Sequence, residues 1–372
     1  MEACPFDPCI FVLREDSHVP EHPDDHPDPK FHAKGKIVGI LGIHVDDGIG
    51  GSGEKFQNVV KLLEQKYPFG SKKSETFTFT GVDMTQQGDY SIALNQSAYV
   101  RKISPINTDP NRRTQPDLAI TNEEQGLLRG LVGSLQYAST NTRPDLANRL
   151  SGLQSAINSA TVETLLEANR LLHEAKRHHD LTITIKPIPE DQLRFMVLSD
   201  KSHSYAGNII VCTHECDPIS PISWGSKKIQ RVVTSTLSAE TTSFATALDQ
   251  LSWVRLYWKR LHDPTTTWHK PDEALCKVEP AISVNTVPSE MDLAVTDCKS
   301  FYDLISRTAP PACSEFRIQL VARYIKEILR ENINLRPSLG PHRSTACRRL
   351  DEGHGSKISQ GDFKAQVLRT PR

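Results

Sequence analysis

Asp46 and Asp47 stand side by side in Ile43-His44-Val45-Asp46-Asp47-Gly48. Adjacent carboxylates repel each other and are costly to desolvate unless a cation lies between them. Magnesium meets that need in phosphate chemistry, because hard cations take oxygen ligands. An Asp-Gly pair also makes an ordinary hairpin turn, and on these residues alone both readings stand. Three more acids occupy suggestive places in the second half of the chain. Asp200 and Asp297 each end a strand-like run, and Glu240 falls in the first turn of a long helical pattern. Strand ends and helix starts on one side of an open α/β sheet are where such folds gather their chemistry. Each acid has a structural reading of its own: a helix-start charge for Glu240, a turn before Ser300 for Asp297, an Asx turn for Asp200. Together they point to a divalent-metal site. Two ions roughly 3.5–4 Å apart activate a water and stabilise a leaving 3′-oxygen.

The elements that must hold these acids follow from periodicity. The apolar run Ile37–Leu41 and the return through Gly48-Ile49-Gly50-Gly51 flank Asp46 and Asp47 as a hairpin. Phe56, Val59, Val60, Leu63 and Tyr67 recur at helical spacing, with Ser52 as a candidate cap. Thr76–Val82 and Tyr90–Leu94 read as strands around a turn. Three helices follow, striped by Leu128, Leu131, Val132 and Leu135, then by Leu146, Leu150, Leu153 and Ile157, then by Val162, Leu165, Leu166 and Leu172. Thr142-Arg143-Pro144-Asp145 opens the second, with proline at its first position. Leu181–Ile185 alternates with period two. Strand-like runs follow at 193–199, 207–213 and 222–224, then a helix over 238–261. A Pro/Thr-rich insert covers 262–290, and a strand over 293–296 and a helix over 315–331 complete an α/β pattern. After Leu335 no apolar period remains, which predicts disorder.

The chain has 372 residues, 37% hydrophobic and 24% charged, enough for two or three domains. No run approaches the roughly 20 apolar residues of a membrane helix, and the N-terminus lacks a signal-peptide core. An intracellular protein with reduced thiols is expected from its eight scattered cysteines. Cys212 and Cys216, with His214 between them, have no matching second pair for zinc. His18, His22, His26 and His32 lie in a Pro/Asp-rich stretch that reads as a solvated loop. A net charge of -1 gives no overall attraction to nucleic acid, so any such binding must come from local patches.

In order and spacing, several segments resemble the pol polyprotein of copia-type retrotransposons, from the end of the reverse transcriptase through the RNase H domain. His44-Val45-Asp46-Asp47 is similar to the Tyr-Val-Asp-Asp box. Phe79-Thr80-Gly81-Val82 with Asp89 to Leu94 resembles the strand pair after it. Leu131-Val132-Gly133-Ser134-Leu135-Gln136-Tyr137 and Thr142-Arg143-Pro144-Asp145-Leu146 resemble two thumb signatures. Ile222-Ser223-Trp224 with Ser226-Lys227-Lys228, then Ser235 and Ser238-Ala239-Glu240, then Thr296-Asp297-Cys298-Lys299-Ser300, resemble three RNase H blocks. The resemblance implies that Asp46 and Asp47 are two of three polymerase acids holding Mg2+, with Mn2+ as a substitute. It implies that Asp200, Glu240 and Asp297 are three of four RNase H acids. The expected partner is an RNA–DNA hybrid or a primer-template, with no membrane. Lys227, Lys228, Lys72 and Lys73 are candidate phosphate contacts, with solvated surface as the competing reading.

The departures matter equally. His44 replaces the usual tyrosine, and Asp7-Pro8-Cys9-Ile10-Phe11 resembles the segment just before the box, which implies absent fingers and an absent first polymerase aspartate. The fourth RNase H acid has no counterpart after Leu335. A frameshift in a decayed copy, or a gene-model error, produces such a loss of pattern. The expected fold is therefore α+β: a reverse-transcriptase palm remnant and helical thumb followed by an RNase H-like α/β domain. The expected domains are a truncated palm segment and disordered loop (1–36), palm and thumb (37–180), the RNase H-like domain (181–335) and a disordered, out-of-frame tail (336–372). Polymerase activity is expected to be absent. A non-enzymatic remnant that at most binds nucleic acid is the competing expectation.

Overall fold

The computed structural model describes residues 1–4, 6–19, 35–202, 205–214, 218–230, 233–263, 291–309, 313, 315–332 and 334–340. The fold is α+β, as expected. Helices and strands divide between two compact units, one from Met1–Phe79 with Ser252–Pro280 and one from Thr80–Leu251 with Ala281–Arg372. Of the insert expected at 262–290, His262 ends a helix and residues 264–290 lie outside the described residues, as do the segment 20–34 with His22, His26 and His32, and residues 341–372.

In the first unit, β1 (Glu2–Cys4), β2 (Asp7–Arg14), β3 (Ile37–His44) and β4 (Asp47–Ser52) form an antiparallel sheet in chain order. Helix α1 (Glu54–Lys66) lies against β3 and β4 through Phe56, which is buried. Two glycines admit that ring. A Cβ on Gly39 or Gly50 would come within 2.6 Å of it. Ser52 belongs to β4, and the helix N-cap is Gly53, which makes no side-chain cap. Lys55 fastens the helix start by donating to the carbonyls of Arg14 at 3.2 Å and Ser17 at 2.6 Å. Strand β5 (Thr76–Phe79) ends this unit's first segment.

In the second unit, β6 (Val82–Gln86) and β7 (Ile92–Asn95) make a hairpin. The short helices α2 (Ser97–Lys102) and α3 (Pro110–Arg113) lead to α4 (Asn122–Asn141). A capping box between Thr121 and Glu124 starts α4. One 3₁₀ turn at Pro144–Leu146 precedes α5 (Ala147–Ala156), and α6 (Val162–Arg177) follows. The predicted stripes are the core of this bundle, except at Ile157 and Leu166, which are half-buried. Leu128, Leu135, Leu150 and Leu165 are fully buried. Burying each side chain contributes about 1.5–3 kcal/mol. The alternating stretch after Leu181 gives β8 (Ile183–Ile185), which pairs with β7.

A five-stranded sheet completes the unit. Its strands are β9 (Arg194–Ser202), β10 (Tyr205–Thr213), β11 (Ile219–Lys228), β12 (Asp292–Thr296) and β13 (Leu335–Leu339), in the order β11-β10-β9-β12-β13. Pairing is antiparallel from β9 to β11 and parallel from β9 through β13. Helices α8 (Lys299–Ser306) and α9 (Phe316–Glu331) accompany it, with α7 (Thr236–His262) contributing its part up to Leu251. The expectation of disorder from Arg336 is corrected at its start. Residues 336–339 continue an ordered strand, because β12 offers a free parallel edge to them.

Candidate metal centre

Asp200 lies near the end of β9, and Asp297 directly follows β12. The parallel register sets Thr296 beside Ser199, so the two acids leave the sheet as neighbours. Glu240 reaches the same place from α7. Ser235 caps that helix, its hydroxyl accepting from the Ser238 N–H at 3.1 Å. The helix therefore begins at Thr236, and Glu240 is one turn in rather than within the first turn, as the sequence suggested. One ligand oxygen from each of Asp200, Glu240 and Asp297 lies within 4.8 Å of the others. This is the only cluster of three or more metal-ligand side chains among the described residues. A single Mg2+ with bonds of roughly 2.0–2.1 Å spans ligands about 4 Å apart. The observed spread suits a slight closing around one ion, or two ions sharing the acids.

The electrostatics match that geometry. Glu240 is buried while Asp200 and Asp297 are exposed. Burial, with Asp297 and Asp200 adding repulsion, pushes the Glu240 carboxyl up to about 7, and Lys201 opposes the rise. Asp200 accepts from the Lys201 N–H at 2.6 Å. Ser243, a residue that sequence reasoning missed, holds the site together. Its buried hydroxyl donates to the Asp200 carbonyl at 2.8 Å and lies 3.0 Å from the Ser199 hydroxyl. That contact locks α7 against the end of β9. Only its position three residues beyond Glu240, on nearly the same helix face, hinted at it.

Asp46 and Asp47 stand elsewhere, at the tip of the β3–β4 hairpin in the first unit, and both are exposed. His44 pairs with Asp47, leaving Val45-Asp46 as a two-residue turn. Val45 adopts φ 58°, a strained conformation for a β-branched residue. Among the described residues no third His, Cys, Asp or Glu joins the two acids at ligand distance. Of the candidate lysines, Lys72 is ion-paired with Glu64, and its ammonium lies 5.8 Å from the Phe69 ring centroid. Lys73 is exposed in the same segment, and Lys227 and Lys228 are exposed at the end of β11. Cys212 is buried in β10, where burial and Asp292 push its thiol up to about 12, so it stays protonated; Cys216 lies outside the described residues.

Other conspicuous sequence blocks turn out to be struts. Arg143 is buried, forks onto Asp145 with bonds of 2.8 and 2.7 Å, and donates to the Ala175 carbonyl at 2.9 Å. The Trp224 indole N–H donates to the Ser139 carbonyl at 2.7 Å, tying β11 to α4. The Tyr137 hydroxyl donates to the Thr80 carbonyl, at a turn where Thr80 and Gly81 have φ 47° and 77°.

No family model matches the chain. Over 244 residues, 59% of its length, it is 25% identical to the retrovirus-related Pol polyprotein from transposon RE1 of Arabidopsis thaliana. Over 134 residues, 34% of its length, it is 32% identical to the corresponding polyprotein from transposon RE2 of the same plant. The matches span 16% and 9% of those relatives. Among solved structures, a foamy viral protease-reverse transcriptase in complex with double-stranded DNA aligns at TM-score 0.47 and 13% identity. That alignment covers 81% of this chain and 46% of the viral one. The complex of the foamy viral enzyme with an RNA/DNA hybrid aligns at TM-score 0.43 and 13% identity, covering 89% and 38%. No helix among the described residues is long and apolar enough to cross a membrane. The chain is thus similar to one stretch of the retrovirus-related Pol polyproteins of transposons.

Proposed function

We propose that this chain is part of a copia-type retrotransposon reverse transcriptase–RNase H, with its hydrolytic centre at Asp200, Glu240 and Asp297. In this reading residues 37–180 are palm and thumb, 181–335 are the RNase H-like domain, and an RNA–DNA hybrid is the substrate. The observation that carries the reading is the convergence of three carboxylates, from β9, from α7 and from the end of β12, within 4.8 Å. When bound, magnesium or manganese ions supply an activated water and stabilise the leaving 3′-oxygen. The protein's share is to hold the ligands. β9 and β12 fix two of them through their register, and Ser243 fixes the helix that brings the third. Glu240 must release its proton as metal binds, since ligation requires the carboxylate. Hydrolysis is proposed to be weak and better with Mn2+, which accepts less ideal coordination than Mg2+.

The test is release of labelled RNA from an RNA–DNA hybrid by the folded chain. Cleavage with Mn2+ that is lost in Asp200→Asn and in Glu240→Gln is the expected outcome. Robust cleavage unaffected by either substitution overturns the site, and no cleavage with either metal favours a non-enzymatic remnant. We propose that Asp46 and Asp47 do not support polymerisation in this chain alone, because no third acid joins them among the described residues.

A further inference from the structure

We infer that the outer face of α9 is a platform for single-stranded nucleic acid, with Phe316 and Tyr324 stacking on bases and Arg317 and Arg323 holding phosphates. The inference goes beyond the hydrolytic reading and uses none of the triad. α9 turns Ile318, Ala322 and Ile325 inward, where they are buried. A helix that has buried one apolar stripe ordinarily presents polar residues on its other side. This one instead exposes Phe316 (69%), Leu320 (48%) and Tyr324 (47%), which recur every four residues and so share one side of the helix. The two rings are eight residues apart, roughly 12 Å along the axis. The Tyr324 hydroxyl donates to the Asp249 carboxylate at 2.9 Å, which orients that ring.

Charge identifies the occupant. Arg317 and Arg323 are exposed, and no carboxylate pairs with either among the described residues. They stand three residues from Leu320 in each direction and so flank the apolar stripe on opposite sides. Arg317 also lines a recess with the hydroxyl residues Ser238, Thr241 and Thr242 of α7. Ser238 and Thr242 stand two residues either side of Glu240, on the side of α7 away from the triad. A second copy of α9 fits this face poorly. Antiparallel pairing about Leu320 sets Arg317 against Arg323 of the other copy, parallel pairing sets each arginine against its own equivalent, and like charges across an interface repel. Rings interleaved with cations match a chain that alternates base and phosphate. Glu327 and Glu331, both exposed, continue the outer face and end the platform there by repelling phosphate. Every base has a π-face, so such a platform reads no sequence.

Binding of a fluorescently labelled oligothymidylate to the full chain, followed by anisotropy across a salt series in EDTA, tests the platform without cleavage. Oligouridylate is expected to bind alike, since stacking and charge read no 2′-hydroxyl. Phe316→Ala is expected to weaken binding about 10-fold and to leave the slope of log affinity against log salt unchanged. Phe316→Trp retains wild-type affinity and shows that the loss is not misfolding. The double variant Arg317→Gln/Arg323→Gln is expected to lower the slope by about 1.4, or about 0.7 for each cation removed. Wild-type affinity in Phe316→Ala, or an unchanged slope in the double variant, overturns the platform. So does a wild-type chain that binds neither oligonucleotide at low salt. Self-association in sedimentation velocity that Phe316→Ala abolishes, without oligonucleotide binding, assigns the face to a second copy and overturns the platform too.

Discussion

Thr296 pairs with Ser199 in parallel register, and this single pairing sets Asp297 beside Asp200 at the sheet end. The third acid, Glu240, comes from a helix whose position depends on Ser243. The site is thus assembled from one backbone pairing and one hydroxyl, and Glu240 feels the charge of the other two acids.

Glu240 should make the metal-free chain lose stability as pH rises. Folded Glu240 keeps its proton up to about pH 7, whereas the unfolded residue releases it near 4.5. Between those values the folded state binds more protons, so the stabilisation present below pH 4.5 is lost as pH climbs through 7. At 1.36 kcal/mol for each unit, the total is roughly 3 kcal/mol. With EDTA present, Glu240→Gln should be more stable than wild type at pH 8, and the difference should vanish at pH 4. Parallel urea midpoints for the two proteins across that range would refute the assignment.

Primer extension on a poly-rA template with Mg2+ should stay at background. Among the described residues no third acid joins Asp46 and Asp47, and a two-metal site one carboxylate short forfeits several kcal/mol of stabilisation of the transferring phosphoryl group. Extension that disappears in Asp46→Asn/Asp47→Asn would show that the hairpin acids are active.

Val45 is strained at the hairpin tip, which should cost of order 1–3 kcal/mol. Asparagine tolerates the left-handed region, so Val45→Asn should stabilise the first unit by about 1 kcal/mol. Denaturant unfolding followed by a probe in that unit reads the change, and a destabilised variant would argue against strain there.

Asp145→Ala should be severe. It leaves the buried Arg143 guanidinium without its counter-charge, a loss of about 3 kcal/mol or more. A shift in unfolding free energy under 1 kcal/mol would mean that the Ala175 carbonyl alone satisfies the arginine.

The helical bundle was legible because amphipathic periodicity is local: the stripe through Leu128, Leu135, Leu150 and Leu165 reads directly as a buried face. The triad acids were legible from their places at strand ends and near a helix start. Glu240's depth in α7 was not, because Ser235 rather than a residue nearer Ser238 caps the helix. Ser243 was hidden for a different reason: a serine within a helix acquires meaning only from a tertiary partner. Leu335–Leu339 escaped notice because Pro337 sits inside it. Proline is tolerated on an edge strand, and the partner that makes this segment a strand, β12, lies some forty residues earlier.

That last pairing bears on how the chain is made. The β12 edge, from Asp292 to Thr296, has one side against β9 and the other against a strand translated about forty residues later. Until the ribosome delivers Leu335–Leu339, that side carries unpaired backbone donors and acceptors beside a row of apolar residues. Such an edge is a template for another nascent chain. During synthesis, then, the segment that ends at Asp297 stays open to intermolecular pairing until those last residues arrive.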